Sequence, residues 1–234
     1  MALTSQQFPQ TAQVLSQFVE AVIHSILFHR NVYPGTSFED TQLYGMIVHY
    51  NRHPQVADYV KAVAAKATSG GHVLAELRVV VYHELEHPAE HNPDTQDALD
   101  NDESIEETYR LTFSPTPFSY DDPAEKDDKS EKNARAAEKL KWYRMHDDFR
   151  ATLLRIEVLC KSRVVPTDPQ LLSRRTFRVQ LVTTSCSTEK IHGDNEDIGW
   201  MVVERPAAPA VARRATPVHT VQLADGVDLS IRME

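Results

Sequence analysis

Glycine and cysteine are both scarce. Seven glycines occur in 234 residues, and no glycine-rich run leads into a helix, which argues against a phosphate-cradling loop. The two cysteines, Cys160 and Cys186, give no disulfide framework, so a reducing compartment is the default. Long apolar runs are missing as well, and the longest fall far short of the ~20 residues that a membrane span needs. The N-terminal MALTSQQFPQ carries neither the basic nor the apolar stretch of a secretory signal. The expectation is a soluble intracellular protein with no membrane partner.

Positive charge is in deficit too. Lys and Arg number 25 against 34 Asp and Glu, a formal charge of −9. That balance argues against direct nucleic-acid binding, which Lys and Arg drive by neutralising phosphate. It leaves room for a role beside nucleic acid through a partner. The deficit is local: residues 83–107 hold no Lys or Arg and ten Asp or Glu, which predicts a long, acidic, solvated loop.

What is present reads as a chain able to bury a core, as one large domain or two small ones. In TAQVLSQFVEAVIHSILFHRN (11–31), apolar pairs recur at four-residue steps: Val14/Leu15, Phe18/Val19, Val22/Ile23 and Ile26/Leu27. That stripe is wider than a surface helix needs, and it predicts a helix central to the core. A second helix is expected from Pro54, which suits a first helical position. Val56, Tyr59, Val60 and Val63 form its buried face, and Ser69-Gly70-Gly71 stops it. The β-branched run VLAELRVVVY (73–82) predicts a buried strand paired with ETYRLTF (107–113). Between them lies an acidic insertion, about 83–106, and a second polar insertion follows at about 114–130. A long third helix is expected over 131–162, with Leu140, Tyr143, Phe149, Leu153, Ile156 and Leu159 as its apolar stripe. RTFRVQLVTT (175–184) alternates as a half-buried antiparallel strand, and residues 218–233 alternate again as one or two terminal strands. Three helices and several antiparallel strands in segregated order make an α+β fold.

One motif suggests an enzyme. His83-Glu84-Leu85-Glu86-His87 fits H-E-x-x-H, in which two His one helical turn apart bind zinc and the Glu activates water. A zinc hydrolase built on His83, Glu84 and His87, with His91 as a third ligand, is one reading. The geometry requires a helix. Here a strand directly precedes the motif and Pro88 directly follows it. The competing reading is a His-rich acidic hairpin loop with no metal centre. Trp200 stands in a polar tract before the Pro- and Ala-rich stretch 205–217. It is either a satellite core anchor or an aromatic that packs on a bound peptide.

Three stretches resemble the HORMA-domain family. They are FVEAVIHSILFHRNVYP (18–34) followed by Phe38 and Tyr44; HPQVADYV (53–60); and TEKI (188–191) leading to Trp200 and then Thr216-Pro217-Val218. Within that family, His53-Pro54 and Trp200 are most similar to the branch that serves as regulatory subunit of translesion DNA polymerase zeta. The spindle-checkpoint branch, with its own peptide ligands, is the alternative.

The resemblance implies a single HORMA domain over 1–234. Its core spans about 11–184, with three helices on an antiparallel sheet, and a C-terminal safety belt spans about 185–234. It implies a non-catalytic adaptor with no cofactor, acting in the nucleus in damage bypass. A Pro-containing peptide of the polymerase zeta catalytic subunit would add as a strand beneath the belt, touched by Tyr59 and Trp200. Arg150 would lie where two HORMA domains meet. Asp40 falls near the position where the family has a Lys helping that contact, a departure from the pattern. The translesion scaffold deoxycytidyl transferase would dock on the belt sheet near Ala215, Ser230 and Arg232, which do not match the family in residue type.

Overall fold

The computed structural model describes residues 7–68, 74–84, 103–115, 128–165, 167–183, 216–222 and 227–233. Helix α1 spans Gln7–His29. Strands β1 (Phe38–Leu43) and β2 (Met46–Asn51) form an antiparallel hairpin. Helix α2 spans Pro54–Thr68. Strands β3 (Leu74–Glu84) and β4 (Glu103–Pro115) follow. Helix α3 spans Asp128–Ser162 and the short α4 Pro169–Ser173. Strands β5 (Arg175–Thr183), β6 (Thr216–Gln222) and β7 (Val227–Met233) are the remaining described elements. No described helix is long and apolar enough to cross a membrane.

The wide stripe of α1 has the meaning its spacing predicts. Phe18, Val19, Val22, Ile23, Ile26 and Leu27 are all fully buried, each worth roughly 1.5–3 kcal/mol of apolar burial. Helices α2 and α3 and strand β2 all pack on α1. The Phe18 ring stacks on Phe149 of α3 at 3.9 Å between centroids. On α2, Val60 and Val63 are buried and Val56 and Tyr59 half-buried, as the predicted face requires.

Among the described residues, the main sheet has five antiparallel strands in the order β5-β3-β4-β7-β6. Cross-strand rungs show how alternation builds one apolar face. Val179, Val79, Tyr109 and Met233 lie side by side, and so do Leu181, Leu77, Leu111 and Ile231. Seven of these eight side chains are buried and Leu181 packs against them. The opposite face carries the polar rung Gln180, Arg78, Arg110 and Arg232.

Three sequence expectations need correction. The hairpin β1–β2 has no counterpart among the expected elements. Its turn is Tyr44-Gly45, with φ of +50° and +72°; two successive positive φ values are the signature of a tight primed turn. The acidic insertion does not begin at 83 or run to 106, because β3 continues through Glu84 and β4 starts at Glu103. Lastly, the acid there is not all solvated, since Glu107 is 3 % exposed.

Candidate functional site

Two features of β5 stand out, and the first is a buried polar corner at its start. Arg30, just past α1, has no exposed surface. Its Nε donates to Glu107 Oε2 at 2.8 Å and its Nη2 to Oε1 at 2.5 Å, a bidentate pair. Its Nη1 donates to the carbonyls of Cys160 and Arg163 at 2.9 and 3.2 Å. These carbonyls lie at and just beyond the last turn of α3. Arg30 thus satisfies acceptors that a helix leaves orphaned and opposes the negative end of its dipole. The Tyr109 hydroxyl donates to Glu107 Oε2 at 2.7 Å and stands 3.4 Å from Cys160 Sγ. Burial pushes the Cys160 thiol up to about 11, so at neutral pH it is the unreactive thiol rather than the thiolate.

A β-bulge brings a second carboxylate into the corner. Val81 pairs with Glu107 but Tyr82 pairs with Ile105, which leaves Glu106 as the extra residue. A bulge re-aims the side chain it frees. Glu106 Oε2 lies 2.8 Å from Arg175 Nε and 3.3 Å from His83 Nε2. Arg175 Nη1 in turn donates to the backbone carbonyl of Arg30. Burial pulls the Arg175 guanidinium down, opposed by the Glu106 carboxylate. The sequence carries little sign of this corner, because its members come from five separate stretches.

This placement bears on the H-E-x-x-H pattern. His83 and Glu84 are in a strand, not a helix, so their side chains take opposite faces of the sheet. His87 lies outside the described residues. Among the described residues, no group of three or more His, Cys, Asp or Glu is placed to hold a metal.

The second feature is the edge that β5 presents. Among the described strands β5 pairs only with β3. Glu84 N–H donates to the carbonyl of Arg174, which makes the flanking pair His83–Arg175 a non-hydrogen-bonded one. Pairing then continues in step through Val81–Phe177, Val79–Val179 and Leu77–Leu181. The amides and carbonyls of Phe177, Val179 and Leu181 therefore point away from β3, toward the side on which no described strand lies. Tyr59 reaches this edge from α2. Its hydroxyl accepts a bond from Val179 N–H at 3.3 Å, and its ring meets Phe177 edge-on at 5.8 Å. Tyr33 meets Phe177 edge-on from another side at 6.1 Å. Burial pushes the Tyr59 phenol above its ordinary value, while the Val179 amide pulls it back.

The other sequence-selected residues fall elsewhere. Trp200 and Ala215 lie outside the described residues. Arg150 is exposed on α3, on the face that also shows Tyr143, Leu154 and Val158, the last 66 % exposed. Asp40 is exposed on β1, with Oδ1 2.7 Å from His49 Nδ1. Between the β1–β2 hairpin and α3 lies a cavity of about 340 Å³ lined by Asp40, Met46, Ile47, Leu154 and Glu157 among others. Ser230 and Arg232 are on β7, with Arg232 exposed.

Comparison with known proteins places this architecture. No family model matches the chain. The chain is 31 % identical over 81 residues to the mitotic spindle assembly checkpoint protein MAD2B of Danio rerio, covering 34 % of this chain and 38 % of that protein. It is also 31 % identical over 81 residues to MAD2B of Gallus gallus, with the same coverage. The matches thus span less than two fifths of these relatives. Similar solved structures cover far more. A chain of the mitotic checkpoint complex superposes with a TM-score of 0.61 at 13 % identity, over 98 % of this chain and 97 % of that one. C. elegans HTP-2 bound to the HIM-3 closure motif gives 0.56 at 13 % identity, over 97 % and 90 %. The fold is the α+β HORMA fold. Within it, the chain resembles the regulatory subunit of translesion DNA polymerase zeta, in keeping with its MAD2B relatives.

Proposed function

We propose that this protein is a non-catalytic HORMA adaptor that clasps an extended peptide along β5. One observation carries the reading. Among the described strands, β5 ends the sheet on one side with outward-pointing amides, while β6 and β7 close the other side against β4. Residue 183 and residue 216 therefore stand on opposite edge strands of the described sheet, strands that lie four spacings or about 19 Å apart. A segment that leaves one edge and returns at the other is suited to wrap a strand added to the first. HTP-2, a structural neighbour with this fold, is itself bound to the HIM-3 closure motif.

The peptide adds beside Phe177, Val179 and Leu181, flanked by Tyr59, with Trp200 of the belt packing over it. Its source is a Pro-containing segment of the polymerase zeta catalytic subunit. The belt sheet, with Ser230 and Arg232, faces the scaffold deoxycytidyl transferase. The site of action is the nucleus, in DNA damage bypass, and contact with DNA is left to the partners. The α3 face with Arg150, Tyr143, Leu154 and Val158 meets a second HORMA domain.

The test is titration of the full chain with such a peptide, followed by Tyr59→Ala and Trp200→Ala. Binding that either variant weakens at least tenfold supports the assignment; absence of binding, or binding indifferent to both, removes it. The likeness to a chain of the mitotic checkpoint complex favours a second reading, a checkpoint adaptor. Preference for a checkpoint peptide in the same titration would select it.

A further inference from the structure

We infer that the Tyr59 hydroxyl is an edge guard: it occupies the central outward amide of β5, at Val179, and must be displaced before another strand can pair there. The inference deepens the proposed strand addition, on which its second half rests. The first half stands on the geometry alone.

An exposed sheet edge offers unpaired N–H and C=O groups to any passing strand, and proteins blunt such edges. Here the blunting group is a side chain from another element. The step of the β3–β5 ladder, fixed by Glu84 N–H on the Arg174 carbonyl, sends Val179 N–H away from β3. That amide ends on the Tyr59 oxygen at 3.3 Å. The two observations are independent, since one is a backbone register and the other a side-chain contact.

The guard is held in place and yet weak. The Tyr59 ring lies edge-on to Phe177, and Val60 beside it in α2 is fully buried. The ring is thereby positioned without help from the hydroxyl. The bond itself joins two neutral groups at a long distance, the kind whose net contribution is modest and readily replaced. An added strand would supply a backbone carbonyl to Val179 and free the phenol. A strand with no residue able to leave room for the phenol beside Val179 would be refused, so the guard filters partners as well as covering the edge.

Tyr59→Phe separates the hydroxyl from the ring. In the full chain without peptide, amide hydrogen exchange at Val179 should accelerate about five- to tenfold, with Phe177 and Leu181 unchanged. Unchanged exchange at Val179, or equal acceleration at all three, would overturn the guard. In a second arm, peptides are selected on the wild-type chain from a random phage-displayed library. They should associate with Tyr59→Phe several-fold faster than with wild type. Equal or slower association would overturn displacement. Should the library give no binder at all, strand addition itself fails, and the exchange measurement still decides the cap.

Discussion

The start of β5 and its middle are only four residues apart and are built in opposite ways. At Arg175 the strand enters a corner of buried charge, with Glu106, Glu107, Arg30 and Arg175 tied to one another and to helix-end carbonyls. At Val179 the same strand offers an outward amide covered by one neutral hydroxyl. The difference teaches how a sheet edge can be firmly anchored and still available. Buried ion pairs are costly to break singly, because the survivor is left unpaired in a low dielectric. A single neutral bond at an edge is cheap to exchange for another.

The sharpest way to break this contrast is to remove one partner from the corner. Glu107→Ala leaves the Arg30 guanidinium, which has no exposed surface, without its bidentate acceptor. Urea denaturation should show a loss of about 3–5 kcal/mol. A loss below about 1 kcal/mol would mean that the corner does not anchor β5.

Acid provides the next largest effect and probes a third place, the buried His24 under the β1–β2 hairpin. Burial pulls its imidazole from the usual 6.5 down to about 4. Between those values the unfolded chain binds a proton that the folded chain refuses. Stability therefore rises with pH across that window and is lost as pH falls through it, on the order of 3 kcal/mol. His29, pulled down to about 4 mainly by its own burial, adds to the same window. In His24→Gln the slope of stability against pH between 4 and 6.5 should shrink by about half. An undiminished slope would assign the acid limb to other groups.

A gentler cut within the corner is Tyr109→Phe, which removes a donor from Glu107 and a neighbour from Cys160 while keeping the ring. The expected cost is about 1–3 kcal/mol, read from the denaturation midpoint at unchanged slope. Smallest of all, Val158→Ser on the open face of α3 should leave stability within about 0.5 kcal/mol. If that face meets a second HORMA domain, the apparent mass at high concentration in light scattering should nonetheless fall.

Much of the fold was legible because periodicity is local. The adjacent apolar pairs of α1, the β-branched run of β3 and the alternation of β5 and β7 each state within a dozen residues which side is buried. The β1–β2 hairpin was less legible, because FEDTQL shows no apolar alternation and only Tyr44-Gly45 marks the turn. The corner was not legible at all. Arg30, Glu106, Glu107, Cys160 and Arg175 look like ordinary residues of a charged chain, and a bulge of one residue decides that Glu106 joins them. The β5 edge was half legible: Tyr59 stood out through resemblance to the HORMA family, but its bond to Val179 depends on register.

By itself, then, the sequence determined the helices, the strands, the acidic stretch and the resemblance to HORMA domains, because each is written in short-range pattern or recognisable motif. Only the tertiary structure decided which strand would be left at the edge, which amides would point outward, and which of many carboxylates would be buried. Those follow from strand order, pairing step and one bulge, which are relations between distant segments that no local pattern encodes.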